Sequence, residues 1–183
     1  MNSYKLVEGH RRFMQILYGS KLFTCPGLYS IRRLRYSQCF KMGDACRIGY
    51  GVTLHREHGH SEGTIKVGNN VLLADNVKID YSGAVVIQDY VWISDSVHIH
   101  THIHPVSSSK RCTNDSFSET TSVLICEGAW IGDSSIILPS CHYIGRNSIV
   151  GAGSVVTKDI PDDSVYAGNP AVFVRRINEE DGI

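Results

Sequence analysis

The stretch from Ile125 to Val156 reads ICEGAWIGDSSIILPSCHYIGRNSIVGAGSVV and repeats an aliphatic residue at intervals of six. One extra residue divides it into two phases, Ile125, Ile131, Ile137 and then Ile144, Val150, Val156. The same spacing occurs earlier, at Val67, Leu73, Ile79 and at Ile87, Ile93, Ile99. Small or branched residues follow many of these four places on, among them Val71, Val77, Val91, Val97, Ala129, Ser135, Ser148 and Ser154. The chain is therefore built on an internal repeat.

A period of six predicts extended strands rather than helix. Six is a multiple of the two-residue strand repeat but not of the helical turn of about 3.6 residues, so the recurring aliphatic residue lies on one side of an extended segment. Gly, Asn and Asp residues occupy the segments 68–70, 132–133 and 145–147 between strands, and these residues tolerate the left-handed backbone angles of tight turns. Stacked coils of strand and turn would bury the aliphatic column as one continuous core.

Three segments interrupt the repeat. The segment His55–Gly63 is a polar loop, and Tyr81–Ala84 adds two residues between Ile79 and Ile87. The longest interruption, Val106–Ser122, has the polar composition of a surface loop. Because long loops on rigid scaffolds commonly carry function, we expect a functional site beside residues 106–122.

The repeat also predicts how the chain is divided. We expect a β-helix domain over residues 43–170, preceded by a helical capping segment over residues 1–42 and followed by residues 171–183. After Pro161 and the Gly-Asn-Pro stretch that ends at Pro170, residues 171–178 are expected to form a short basic helix.

Within the first segment, the helical spacing of Leu6, Phe13, Ile16 and Leu17 predicts a short amphipathic helix. The basic residues that follow, Arg32, Arg33 and Arg35, could contact a membrane surface. We favour the alternative, in which this segment packs on the coil or on a neighbouring subunit.

The charge balance indicates that partners are recognised locally. Eighteen Lys and Arg residues balance eighteen Asp and Glu residues, so no overall field attracts nucleic acid. No apolar run is long enough for a membrane span, and residues 1–10 lack the features of a secretory signal, so we expect a cytoplasmic protein. The six cysteines form no C-x-x-C pair and are interpreted as reduced thiols, with Cys126 and Cys141 packed inside the repeats.

The ordered run from Ile131 to Pro161, with its motifs I-L-P and V-G-A-G-S-V-V-T-K-D-I-P, closely resembles the hexapeptide-repeat acyltransferase family, as does A-G-N-P-A at residues 167–171. The looser repeat resemblance covers residues 43–177. It implies an all-β fold, a left-handed parallel β-helix of hexapeptide repeats. It further implies a homotrimer that binds acetyl-CoA, the acyl donor, between neighbouring subunits.

The segment T-H-I-H-P, Thr101–Pro105, resembles the T-x-x-H-P segment of the maltose and galactoside O-acetyltransferase branch, where the histidine is the catalytic base. The resemblance gives that role to His104. Imidazole suits it, because an unperturbed pKa of about 6.5 allows it to accept a hydroxyl proton and return it to the leaving thiol. The phase of the repeat predicts that His104 faces out of the coil.

Asp80 stands where related sugar acetyltransferases carry an aspartate near the acceptor. A carboxylate there could bind sugar hydroxyls or orient the base, and the alternative is a turn residue with no role in the reaction. The next residue, Tyr81, occupies the position of a catalytic histidine in the similar serine acetyltransferases. This departure argues against serine as the acceptor.

The alternation of His98, His100, His102 and His104 is similar to a metal-binding stripe. In a β-helix, however, the chain turns between His98 and His104, so we expect these side chains to be divided over different sides of the coil. We interpret His98 and His100 as surface or interface residues and expect no metal.

The resemblance also assigns residues to the binding of acetyl-CoA: Trp130, Ala152, Thr157, Lys158 and Arg175. Trp130 offers an apolar wall, and the small Ala152 leaves room for the pantetheine arm. Lys158 and Arg175 can meet phosphates, although Arg175 can equally be a solvated cation of the expected terminal helix.

These observations predict an acetyl-CoA-dependent O-acetyltransferase that modifies a sugar or glycan precursor by direct transfer in a ternary complex. An amino-sugar N-acetyltransferase would use the same scaffold and donor. A metal-dependent β-helix resembling carbonic anhydrases is a further alternative, which tightly bound zinc would identify. The last is a non-catalytic β-helix, which failure to bind any acyl-CoA would favour.

Overall fold

The computed structural model describes residues 3–25, 27–56, 62–104 and 119–177. Short parallel strands wind into a coil with three faces. The first face stacks β1 (Lys41–Met42), β4 (Thr64–Val67), β7 (Ala84–Ile87), β12 (Ser122–Ile125) and β15 (Tyr143–Ile144). The second stacks β2 (Arg47–Ile48), β5 (Leu72–Leu73), β8 (Trp92–Ile93), β13 (Trp130–Ile131), β16 (Ile149–Val150) and β18 (Ser164–Ala167). The third stacks β3 (Thr53–His55), β6 (Lys78–Asp80), β9 (His98–Ile99), β14 (Ile136–Ile137) and β17 (Val155–Val156).

The aliphatic column of the repeat forms the core, which confirms the predicted parallel β-helix. Every column residue named from the sequence is at most 5% exposed. The register stacks like on like, with Ile93 opposite Ile131 and Ile131 opposite Val150 in neighbouring coils. Full burial of one such side chain contributes roughly 1.5–3 kcal/mol. No single coil could bury this column alone, so the coils stabilise one another.

Asparagine and glycine have different tasks at the corners. Asn70 and Asn147 adopt positive φ angles of 56° and 53°, as the turn residues of the sequence predict. Gly132 is needed instead for close approach, because a Cβ atom there would lie 2.6 Å from the carbonyl oxygen of Val150 in the next coil. Substitution of this glycine would therefore push two stacked coils apart.

Two helices precede the coil, α1 (Ser3–Tyr18) and α2 (Tyr29–Cys39), with a 3-10 turn at Lys21–Thr24 between them. The first confirms the predicted helix, whereas α2 was not predicted. Phe13 and Ile16 of the apolar stripe do not face the coil, since they are 61% and 77% exposed in the single chain. The polar Gln15 packs inward instead, and its amide exchanges hydrogen bonds with the backbone of Leu54 at 2.6 and 2.8 Å. Neither helix has the length and apolar character that a membrane crossing requires.

Arg32 of α2 joins the N-terminal segment to the coil. Its side chain is fully buried and donates to the carbonyl oxygens of Tyr18, Ser20 and Ile48 at 2.8, 2.5 and 3.1 Å. Burial lowers the pKa of this guanidinium from its usual value. This residue therefore packs on the coil, as the favoured interpretation of the basic segment predicts.

We expect Arg32→Ala to lower the free energy of unfolding by about 3 kcal/mol, because it leaves buried carbonyl groups without donors. Urea denaturation followed by circular dichroism measures the change. The matched control is Arg33→Ala, at an exposed position in the same helix, where we expect a change within about 0.5 kcal/mol. Equal losses in the two variants would contradict the structural role of Arg32.

The predicted C-terminal helix is wrong. Residues Val172–Arg176 form a strand, β19, that pairs antiparallel with β18. The β-branched and aromatic residues Val172, Phe173 and Val174 favour a strand, and β18 would otherwise leave an open sheet edge at the end of the coil. The segment still caps the coil, but it does so by hydrogen bonding along the second face.

Candidate active site

The predicted base lies where the chain leaves the coil. Strand β10 (His102–Ile103) pairs antiparallel with β11 (Glu119–Thr120), and His102 lies opposite Thr120. The surface loop expected at residues 106–122 is an excursion from the coil. It begins and ends a few residues earlier along the chain than expected, since Ser122 is already part of β12 on the first face. Residues 105–118 lie outside the described part of the chain. His104 directly follows β10 and is exposed, as the phase of the repeat predicts.

A buried carboxylate holds the neighbouring histidine, His102. The carboxylate oxygen Oδ2 of Asp80 lies 2.7 Å from Nδ1 of His102 and also accepts the Thr101 backbone N–H at 2.9 Å. The other oxygen, Oδ1, accepts hydrogen bonds from the backbone N–H and the hydroxyl of Ser82. Asp80 is 1% exposed and His102 18% exposed. The pair thus joins a buried carboxylate to a partly exposed histidine.

The hydrogen bonds fix the ionisation of Asp80. Burial raises the pKa of this carboxyl, but the donors on Ser82, His102 and Thr101 outweigh it and lower the pKa to about 2. An ionised carboxylate only accepts hydrogen bonds, so Nδ1 of His102 must donate. In the neutral ring, Nε2 of His102 then carries the lone pair.

This geometry bears on the role of Asp80. With both oxygens engaged inside the chain, Asp80 is poorly placed to bind sugar hydroxyls itself. The arrangement favours the second alternative, orientation of a histidine, but the histidine is His102 and not His104. Sequence reasoning missed His102 because it was considered only as part of a metal-binding stripe.

The histidines of the stripe form two separate pairs. The ring centroids of His102 and His104 lie 5.2 Å apart with the rings nearly perpendicular, and those of His98 and His100 lie 6.2 Å apart. The division of the stripe follows from β10 leaving the third face after β9. Among the described residues, no cluster of three or more metal-ligating side chains occurs.

Trp130 and Arg175, both expected to bind acetyl-CoA, share the outer surface of the second face. Along one register row, Trp130 lies opposite Ile149, Ile149 opposite Val165, and Val165 opposite Arg175. The Trp130 ring stacks on Trp92 at 5.6 Å, and its N–H donates to the Ser94 hydroxyl at 2.9 Å. Sequence reasoning missed Trp92, although it precedes Ile93 as Trp130 precedes Ile131. Together the indoles form an exposed apolar wall.

The other three residues expected to bind acetyl-CoA lie at the two corners that flank β17. Ala152 precedes that strand and is exposed, and Thr157 and Lys158 follow it. The Thr157 carbonyl accepts the Ser140 hydroxyl at 2.8 Å, which ties this corner to the preceding coil. The structure thus places these side chains around the last coils, with Arg175 on β19 rather than on a helix.

Known proteins resemble the chain in both sequence and fold. The putative acetyltransferase YJL218W of Saccharomyces cerevisiae is 38% identical over 117 residues, which are 64% of this chain and 58% of that protein. The chain thus spans little more than half of that relative. The putative colanic acid biosynthesis acetyltransferase WcaF of Escherichia coli is 34% identical over 125 residues, 60% of this chain and 68% of that protein.

A solved galactoside acetyltransferase in complex with coenzyme A matches the fold with a TM-score of 0.83 at 26% identity. This match covers 99% of the chain and 86% of that structure. No family model matches the chain. The relatives, the neighbouring structure and the six-residue repeat agree with one another, and the chain belongs to the hexapeptide-repeat acetyltransferases.

Proposed function

We propose that the protein transfers an acetyl group from acetyl-CoA to a hydroxyl of a sugar or glycan precursor. The observation that carries the proposal is the Asp80–His102 pair, with His104 beside it, at the start of the excursion. The donor is supported by the similar galactoside acetyltransferase, which was solved with coenzyme A. A glycan acceptor is supported by the similarity to WcaF, named for colanic acid biosynthesis.

In the proposed reaction, His104 removes the proton of the acceptor hydroxyl as its oxygen attacks the thioester carbonyl. A new C–O bond forms, the C–S bond breaks, and the imidazolium returns the proton to the leaving thiolate. His102 presents Nε2 beside this base and accepts a hydrogen bond from another acceptor hydroxyl. Asp80 acts through His102 and is a positioning residue.

Direct transfer in a ternary complex suits the two cysteines that lie inside the repeats, Cys126 and Cys141. A covalent route needs an activated thiolate, whereas Cys126 and Cys141 are buried in the coil. Burial raises the pKa of Cys141 to about 12. Neither thiol is therefore a suitable acetyl carrier.

The donor site of the proposal lies on the second face and around β17. Trp130 and Ala152 would line the pantetheine arm, the Thr157 corner would border it, and Lys158 and Arg175 would meet the phosphates. A single chain supplies only one wall there, since Trp92 and Trp130 are about half exposed. A neighbouring subunit in a cytoplasmic homotrimer would supply the opposite wall.

The test is release of free thiol from acetyl-CoA in the presence of a panel of sugars, nucleotide sugars and amino sugars. The proposal predicts release that depends on an acceptor with a free hydroxyl. Release with amino sugars alone would identify an N-acetyltransferase instead. Absence of acetyl-CoA binding by calorimetry would refute the proposal.

A further inference from the structure

A basic cleft of about 400 Å³ lies between the N-terminal helices and the first two coils. Four cationic residues from separate segments line it, namely Arg11, Lys41, Arg56 and Lys66. None of the described residues that line the cleft is acidic. Among its described lining residues the charges are thus all positive, whereas the charges of the whole chain are balanced.

Two of these cations face each other across a pair of strands. Lys41 of β1 lies directly opposite Lys66 of β4 in the parallel register, and both are exposed. Like charges in directly opposed positions destabilise a sheet. Folding alone therefore does not favour this pair, and an anion bound between the two ammonium groups would remove their repulsion.

The floor of the cleft is aromatic and fixes the two guanidinium groups. The Arg56 guanidinium lies 5.4 Å from the ring centroid of Tyr81, and that of Arg11 lies 5.5 Å from the centroid of Phe40. Arg11 also donates to the Tyr81 hydroxyl at 3.4 Å. Stacking on rings orients these planar groups before a ligand arrives, which suits recognition of oxyanions.

We propose that this cleft binds a diphosphate group carried by the acceptor, an inference that rests on the proposed acetyl transfer. Four cations match a group with several negative charges better than a single carboxylate. Tyr81, on the floor of the cleft, directly follows Asp80 in the chain. A diphosphate anchored there would hold its attached sugar near the Asp80–His102 pair.

The first test is binding of inorganic pyrophosphate to the full chain by calorimetry. We expect binding that weakens at least tenfold in Lys66→Gln and in Lys41→Gln. The matched control is Lys78→Gln, an exposed strand lysine on the third face whose register partners are Thr53 and His98; it should bind like the unmodified protein. In phosphate-free buffer, Lys66→Gln should have an equal or higher Tm, since it removes a like-charge contact. No pyrophosphate binding, or equal weakening in the control, would overturn the site.

The second test compares acceptors with and without the diphosphate. Lys66→Gln should lower kcat/KM about tenfold for a nucleoside diphosphate sugar or a prenyl diphosphate sugar, and leave kcat/KM for the free sugar unchanged. The diphosphate sugar with the higher kcat/KM in the unmodified protein shows whether the acceptor is carried on a nucleotide or on a lipid. Equal kcat/KM for all acceptors in both proteins would overturn the anchoring role. Pyrophosphate binding by the cleft without acetyl transfer to any acceptor would support the site and refute the proposed function.

Discussion

Replacing His104 with alanine is expected to lower kcat for acetyl transfer by about 10²–10⁴-fold, the usual range for loss of a general base. The KM for acetyl-CoA should change little, because His104 lies on the excursion and not on the Trp92–Trp130 wall. Steady-state thiol release at saturating donor and acceptor measures both constants. The control is His142→Ala, at an exposed corner before β15, which should retain near-complete activity.

The companion variant His102→Ala separates the roles of the two imidazoles. If His102 holds the acceptor, its loss should raise the acceptor KM about tenfold and reduce kcat far less than loss of His104 does. The opposite result would assign the role of base to His102. A large loss of kcat in His102→Ala with nearly full kcat in His104→Ala would move the base to the carboxylate-bound histidine.

Replacing Asp80 with alanine should lower both stability and activity. The change leaves the backbone N–H of Thr101 and Nδ1 of His102 without their acceptor, which we expect to cost about 2–4 kcal/mol in the free energy of unfolding. It also releases the ring of His102, so the acceptor KM should rise. Thermal unfolding and acetyl-transfer kinetics on the same preparation measure the two effects. Asp80→Asn, which keeps the shape but loses the charge, should retain more stability and still fail to fix the tautomer of His102.

The contribution of Asp80 to stability should depend on pH. The pKa of Asp80 in the folded state, about 2, lies below the ordinary value of 3.8. The ionised carboxylate therefore stabilises the folded state at every pH well above 3.8. The stabilisation is lost as the pH falls from about 4 toward 2. The difference in unfolding free energy between the unmodified protein and Asp80→Asn should therefore be constant near neutrality and narrow in acid. A difference that stays constant down to pH 2.5 would contradict the assignment.

The β-helix could be predicted from the sequence because its core repeats in phase with the chain. The position of an aliphatic residue in the six-residue repeat is enough to predict that it points into the core. The burial of Ile131 and Val150 could therefore be predicted without knowledge of distant contacts. The end of the coil has no such repeat. Residues 172–176 have side chains that favour a strand, and they pair with the free edge of β18, a tertiary contact that local spacing does not reveal.

The candidate site was predictable only in part, because some of its contacts join residues that are distant in the chain. His104 stands in a short motif beside a long loop, so sequence alone could select it. The contact between Asp80 and His102 joins positions 22 residues apart, in neighbouring coils. It depends on the inserted corner at Tyr81–Ala84 and on the departure of β10 from the third face. The basic cleft likewise depends on how α1 packs against the first coils, which the repeat does not encode.

The most direct test of acetyl transfer uses acetyl-CoA labelled with ¹³C in the acetyl carbonyl, with product and protein followed by NMR and mass spectrometry. Direct transfer predicts label in an ester on an acceptor hydroxyl, at a rate that falls in His104→Ala, with no labelled protein at any time. Label on a protein side chain, on an acceptor nitrogen, or only in free acetate would contradict direct O-acetylation.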